Sequence, residues 1–172
     1  MSIWPFRRDQ ANSDAAALLT AVVAASRQPD FYGPGRVSDT LEGRFELLTL
    51  HAALALVRLR AAPEAAPLAQ AFTDQLFRHI DSGLREAGVG DLTVPKRMRR
   101  LAGEFYGRLD AYAASLGDGE ALSAAIARNV LGDGGDPEFA GVLAAHAQAL
   151  AARQGAAPVA ALIEAGAWGA IA

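Results

Sequence analysis

Cysteine is absent from the 172 residues, and with it go disulfides, thiolate zinc and iron–sulfur sites, and thiol nucleophiles. Charge of one sign is missing too. With 16 basic and 19 acidic side chains the net charge is -3, so the chain is neither a nucleic-acid polycation nor an acidic solvating tail, and a charge-driven partner needs a local patch. No apolar run approaches the roughly 20 residues that span a bilayer. The least charged stretches are 47–57, interrupted by His51, and 156–172, which is rich in small residues. The opening Met1-Ser-Ile-Trp-Pro-Phe-Arg-Arg-Asp9 lacks the succession of basic, apolar and small residues that marks a secretory signal, so a cytoplasmic location is expected.

Motifs of the common enzyme classes are missing as well. Neither Gly33-Pro-Gly35 nor Gly88-Val-Gly90 follows a strand pattern, as a nucleotide-binding turn must, and no serine lies in a Gly-x-Ser-x-Gly elbow. The three histidines, His51, His79 and His146, fall on different expected helices with no i,i+4 partner, so each reads as a packed or half-exposed structural residue. No metal site and no cofactor is expected.

What is present points to helix. The chain is 52% hydrophobic and contains 40 alanines, strand alternation is nowhere evident, and the length suits one domain over residues 1–172. The expected fold is all-α: a compact domain of six to seven helices. A first helix is expected over 14–26, opened by Asn12 or Ser13 and closed before Pro29. A second runs from about 40 to 60, with Asp39 and Glu42 forming a capping box. A third spans 67–87 with Gly88 as its C-terminal cap, and a fourth starts at Pro95 and ends near Leu116. Fifth, sixth and short seventh helices are expected over 118–130, 136–153 and 158–168.

The second helix is unusual. At about 100° per residue, Leu41, Phe45, Leu48, Ala52, Ala55 and Leu59 line one side while Leu47, Leu50, Leu54 and Val57 line the other. This predicts a central helix buried on two faces, with Leu48 and Leu54 both near zero exposure. Between the stripes Arg44, His51 and Arg58 form a polar seam at seven-residue spacing. Two functional readings attach to this helix: an anionic small-molecule cavity lined by that seam, and an enzyme using Asp39, Glu42 and Glu46 as paired acids.

A stronger anomaly is Lys96, Arg97, Arg99 and Arg100 in the first turns of the fourth helix. A helix start already carries partial positive charge, so each exposed cation there costs about 0.3–1 kcal/mol. Opposite them Met98, Leu101, Phe105, Leu109, Tyr112 and Leu116 form an apolar stripe. Such a cationic face suits ribosomal RNA, anionic lipid or an acidic protein; with no aromatic among the bases, sequence-specific nucleic-acid reading is not expected.

Three blocks carry a family likeness. Residues 31–51 include Asp39-Thr40, Gly43-Arg44-Phe45 and Leu50-His51; residues 81–98 read Asp-Ser-Gly-Leu-Arg-Glu-Ala-Gly-Val-Gly-Asp-Leu-Thr-Val-Pro-Lys-Arg-Met and continue to Phe105-Tyr-Gly-Arg108; residues 122–130 end Ala-Arg-Asn-Val. Together they resemble the ubiquinol–cytochrome c chaperone family over about 31–131. Ser38 stands where relatives often have proline, and Ala87 where a larger apolar residue is common. Without the long N-terminal extension of mitochondrial members, the chain resembles a bacterial one.

The resemblance implies a non-catalytic assembly factor for cytochrome b in cytochrome bc1 biogenesis. Its implied partner is newly made cytochrome b, held in an apolar groove beside the basic face. A small partner subunit and the ribosome are implied from mitochondrial relatives, and a peripheral place at the inner-membrane surface is expected. The functional edge is expected at Asp81, Arg85, Glu86, Gly88, Gly90, Asp91, Lys96, Arg97, Arg99 and Arg100, with Asp39, Arg44 and His51 nearby. Gly88 and Gly90 are expected at positive φ, and Asp91 as the acid that orients the arginines.

Overall fold

The structure, a computed structural model, describes residues 4–171, with side chains described from residue 9 onward except at 133 and 165. The first three residues of the opening stretch read above for a signal lie outside it. Six α-helices occur among the described residues: α1 (Trp4–Ser26), α2 (Leu41–Arg60), α3 (Ala66–Glu86), α4 (Val94–Ser115), α5 (Gly119–Ile126) and α6 (Pro137–Ala156). No strand is found among them. The segment expected as a seventh helix is instead two 3-10 stretches, Val159–Ile163 and Ala165–Ala167. α1 begins well before Asn12 and Ser13, which lie inside it, because no breaker separates them from the residues upstream.

α2 occupies the centre and touches α1, α3, α4 and α6. Its start departs from the expected capping box. Thr40, not Asp39, is the N-cap, its Oγ1 accepting from the Gly43 amide at 3.1 Å, while Asp39 is drawn off to Arg44. Gly43 is required by a close approach, since a Cβ there would collide with the Ser38 carbonyl and press on Val37. Val37 and Phe31, both fully buried, pin the loop that crosses this first turn.

From Thr49 to Leu56 every α2 residue is buried, so two-sided burial holds in this stretch. Nearer the N-terminus it fails: Leu47 is buried, but Leu41 is 39% exposed and Phe45 and Leu48 are only partly covered. The expected near-zero exposure of Leu48 is therefore incorrect, because α4 meets α2 through a charged pair at this level rather than through a second apolar face.

α3 buries Phe72, Leu76, Ile80 and Leu84 and ends in a Schellman motif. Gly88 has φ +81°, its amide reaches the Arg85 carbonyl, and the Val89 amide reaches that of Leu84. α4 buries Leu101, Phe105, Leu109 and Tyr112, with Phe105 edge-on to Phe77 at 5.5 Å. Asp118 and Asp136 cap α5 and α6 with side-chain oxygens. A single π-helical turn, Ala127–Leu131, follows α5 and stops at Gly132, φ +63°.

Two of the three seam residues of α2 find partners inside the fold. Arg58 donates to the carbonyls of Gln154 and Ala157 at 2.8 and 2.9 Å, satisfying acceptors left over at the end of α6. His51 is fully buried, with Phe31 and His146 at ring distances of 5.4 and 5.9 Å and Trp168 at 6.2 Å. Its Nδ1 donates to the Leu47 carbonyl at 2.8 Å. Trp168 is tied in turn to the Leu162 carbonyl through Nε1. His51 thus belongs to an aromatic hub and has no access to a partner, contrary to its expected place near the functional edge.

Two measurements follow. Gly43→Ala, which in an open helix position gains about 1 kcal/mol of helix propensity, should here destabilise by roughly 1–3 kcal/mol through overpacking, whereas Gly103→Ala, where a Cβ meets nothing, should be neutral or stabilising in urea unfolding. Burial lowers the His51 pKa from 6.5 to about 4, so the unfolded chain takes up a proton that the folded one refuses. Stability should fall by on the order of 3 kcal/mol from this residue as pH drops between those values, and His51→Leu should flatten that part of the pH dependence.

Candidate functional site

Where the C-terminal turns of α1 and α3 meet the N-terminal halves of α2 and α4, the surface opens into a groove of about 330 Å³. Its floor is apolar: Leu41, Phe45 and Leu48 from α2, Ile80 and Leu84 from α3, and Leu101 from α4. These α2 side chains are the ones expected in the core. Gly83 also lines the groove, and a Cβ there would meet nothing. A glycine inside a helix costs about 1 kcal/mol relative to alanine, so packing gives no reason for it; its effect is to bare α3 backbone to whatever lies in the groove.

The rim is mixed rather than basic. Arg27, Arg44, Arg97 and Arg100 share it with Glu42, Glu86 and Glu104. The cationic start of α4 divides across the helix, since Arg97 and Arg100 line the groove and Lys96 and Arg99 do not. Arg97 reaches Glu42 at 2.9 Å, and Arg100 lies 3.6 Å from Glu104. Such exposed pairs contribute little to stability, so rim charges can exchange partners at low cost. No acid lies within 4 Å of Lys96 or Arg99 among the described residues.

One pair differs in kind. Glu46 and Arg108 face each other bidentately, both bonds at 2.6 Å, between α2 and α4, with side-chain exposures of 12% and 17%. The Arg108 guanidinium lies 5.9 Å from the centre of the Phe45 ring. Burial pushes the Glu46 carboxyl up to about 7, and the guanidinium opposes the shift. This pair underlies the groove at the level where α2 lacks its second apolar face. Arg108 falls within a family-like block, but nothing in its spacing from Glu46 announces the contact.

The remaining expected edge residues divide. Arg85 is held between Asp81 and Asp91, so Asp91 orients Arg85 and not the α4 arginines as expected. Glu86 accepts from Ser82 at 3.3 Å and lines the groove. Gly88 has the expected positive φ, whereas Gly90 does not; its carbonyl instead receives the Thr93 and Val94 amides that start α4. Asp39 and Arg44 form an exposed pair at 2.7 Å, and only Arg44 of the two reaches the groove.

The two other readings of α2 lose their geometry. Arg58 is consumed by α6 carbonyls and His51 by the core, so the seam lines no common cavity. Asp39, Glu42 and Glu46 each bind a different arginine, and the three share no pocket. Ser26 and His79 both line the groove, but the Ser26 hydroxyl donates to the Val23 carbonyl. No cluster of three or more metal-ligating side chains, and no helix long and apolar enough to cross a membrane, occurs among the described residues.

Glu46→Gln should leave Arg108 charged and unpaired, at a cost of about 3 kcal/mol in urea unfolding. Replacing both partners by apolar residues, Glu46→Leu with Arg108→Met, should recover most of that loss.

The family model described as ubiquinol-cytochrome C chaperone matches residues 35–168, which extends past the blocks noted in the sequence as far as Trp168. No curated protein matches the sequence. Among solved structures, the crystal structure of the Cbp3 homolog from Brucella abortus superposes with a TM-score of 0.81 at 39% identity, covering 96% of this chain and 94% of that one. The chain belongs to the ubiquinol–cytochrome c chaperone family.

Proposed function

From that membership we propose that the protein is a non-catalytic assembly factor that receives newly made cytochrome b and holds an apolar segment of it in the groove between α2, α3 and α4. The observation that carries this reading is the row Leu41, Phe45 and Leu48, left partly uncovered on a helix that is buried without a break from Thr49 to Leu56. A folded monomer gains by burying such side chains, at about 25 cal/mol per Å², so leaving them open at the base of a concave site favours an apolar ligand. The groove is large enough for a few side chains of a bound segment, and the bare backbone at Gly83 allows that segment close to α3. The exchangeable rim pairs let polar groups flanking the apolar stretch find partners of either sign.

The rim also explains how a client would leave. Arg97–Glu42 and Arg100–Glu104 re-form when the segment departs, so no charge is left stranded by release. A held membrane segment must pass on to the bilayer, and a shallow site with weak rim contacts suits that transfer better than a closed cavity would.

The test is site-specific photocrosslinking in cells. A photoreactive residue at Leu41, the most exposed side chain of the groove floor, should capture cytochrome b, while the same group at Val142 on α6, which is 40% exposed and absent from the groove lining, should not. Arg97→Glu with Arg100→Glu should reduce capture roughly tenfold with the fold intact, by removing cations next to the segment. Equal capture from both positions, or capture from Leu41 only of polypeptides other than cytochrome b, would overturn the proposal.

A further inference from the structure

The turn joining α3 to α4 carries Leu92, which is 99% exposed and the most exposed large apolar side chain among the described residues. Local packing does not ask for it. Val94 on one side is buried and Val89 on the other packs against the core, so the turn is already anchored without a leucine at its tip. The amides of Thr93 and Val94 both bond to the Gly90 carbonyl, which winds this turn into the start of α4. Leu92 lies two residues ahead of α4, whose first turns place Lys96 and Arg99 next to each other on one side. Lys96 and Arg99 are exposed, and no acid lies within 4 Å of either among the described residues. The nearest acids in sequence, Asp91 for Lys96 and Glu104 for Arg99, are taken by Arg85 and Arg100.

We propose that this tip is a membrane-contact point, at which Leu92 enters the acyl boundary of a bilayer while Lys96 and Arg99 meet the phosphates of anionic headgroups. An apolar side chain that projects from a convex turn, flanked by cations and standing in no groove, suits a deformable surface that closes around it. A folded protein partner would need a matching pocket for Leu92. RNA would use the cations but gain nothing from a solvated leucine, and the tip offers no aromatic ring for a base to stack on. One leucine and two cations give weak, reversible attachment. The end of α3 and the start of α4 build both the tip and one wall of the groove, so attachment here sets the groove mouth beside the bilayer. The inference does not depend on what the groove holds.

Flotation of the full chain with phosphatidylglycerol-containing vesicles, against pure phosphatidylcholine vesicles, tests it. The wild type should float with the anionic vesicles alone. Leu92→Ser, or Lys96→Gln with Arg99→Gln, should each weaken binding roughly tenfold, and all three positions are exposed, so circular dichroism should be unchanged. Because the chain has no cysteine, Leu92→Cys accepts a single environment-sensitive fluorophore. Its emission should shift to the blue on adding anionic vesicles, while a label at Val142→Cys should not respond. Failure of the wild type to float, or flotation indifferent to Leu92, would overturn the proposal; so would binding of RNA through Lys96 and Arg99 with vesicles ignored. These outcomes are separate from crosslinking at Leu41, which reports on the client alone.

Discussion

The bidentate contact between Glu46 and Arg108 sets the distance between α2 and α4 at the level of the groove. Two apolar side chains meeting there would interdigitate and draw the helices together, whereas a carboxylate and a guanidinium joined end to end need room for both and for the hydrogen bonds that compensate their burial. Beside this strut Phe45 lies under the guanidinium, and Leu48 remains partly open. Further along, from Thr49 to Leu56, α2 is buried on all sides, mostly by apolar neighbours. The groove is thus a consequence of where α2 changes from charged to apolar neighbours.

The cations at the start of α4 oppose the field of the helix they begin, and the structure gives them two destinations. Arg97 and Arg100 turn toward the groove and share it with glutamates; Lys96 and Arg99 turn outward and stay solvated. Neither destination compensates fully for the unfavourable position, since the rim pairs are exposed and the outer pair has no acid. The repulsion is retained at the end of the molecule where the apolar floor is also uncovered. Gly83 follows the same logic in a different currency, because it gives up helix propensity at a position where a methyl group would fit.

Much of the architecture was legible in local signals. Pro95, Gly88 and the Asp136-Pro137 pair mark helix ends through backbone geometry that involves only near neighbours, and α3, α4 and α6 begin or end close to where those residues place them. The fold class followed from the alanine content and the missing strand pattern. What the sequence hid depends on distant partners. Asp39 looked like a cap until Arg44 took it, and Asp91 looked like a partner for α4 until Arg85 did. Leu48 looked buried because periodicity reports which side chains share a face and says nothing of whether another helix covers that face. The groove floor was therefore read as core, and the strut that uncovers it, joining residues 46 and 108, had no local signature. The family blocks contain Glu46 and Arg108 without revealing that the two meet, or that His51 belongs inside.

The aromatic hub has a consequence for the order of synthesis. Its rings come from positions 31, 51, 146 and 168, so the fully buried imidazole of His51 acquires its last neighbour only when almost the whole polypeptide has left the ribosome. Contacts this far apart in sequence are slow to form, because the loop between them must close first. An emerging chain has α1 to α4, and hence the walls of the groove, before it has the rings that close the centre. A message cut short before codon 168 yields a protein with those walls and an unsealed interior, in which a histidine meant for an apolar site faces water.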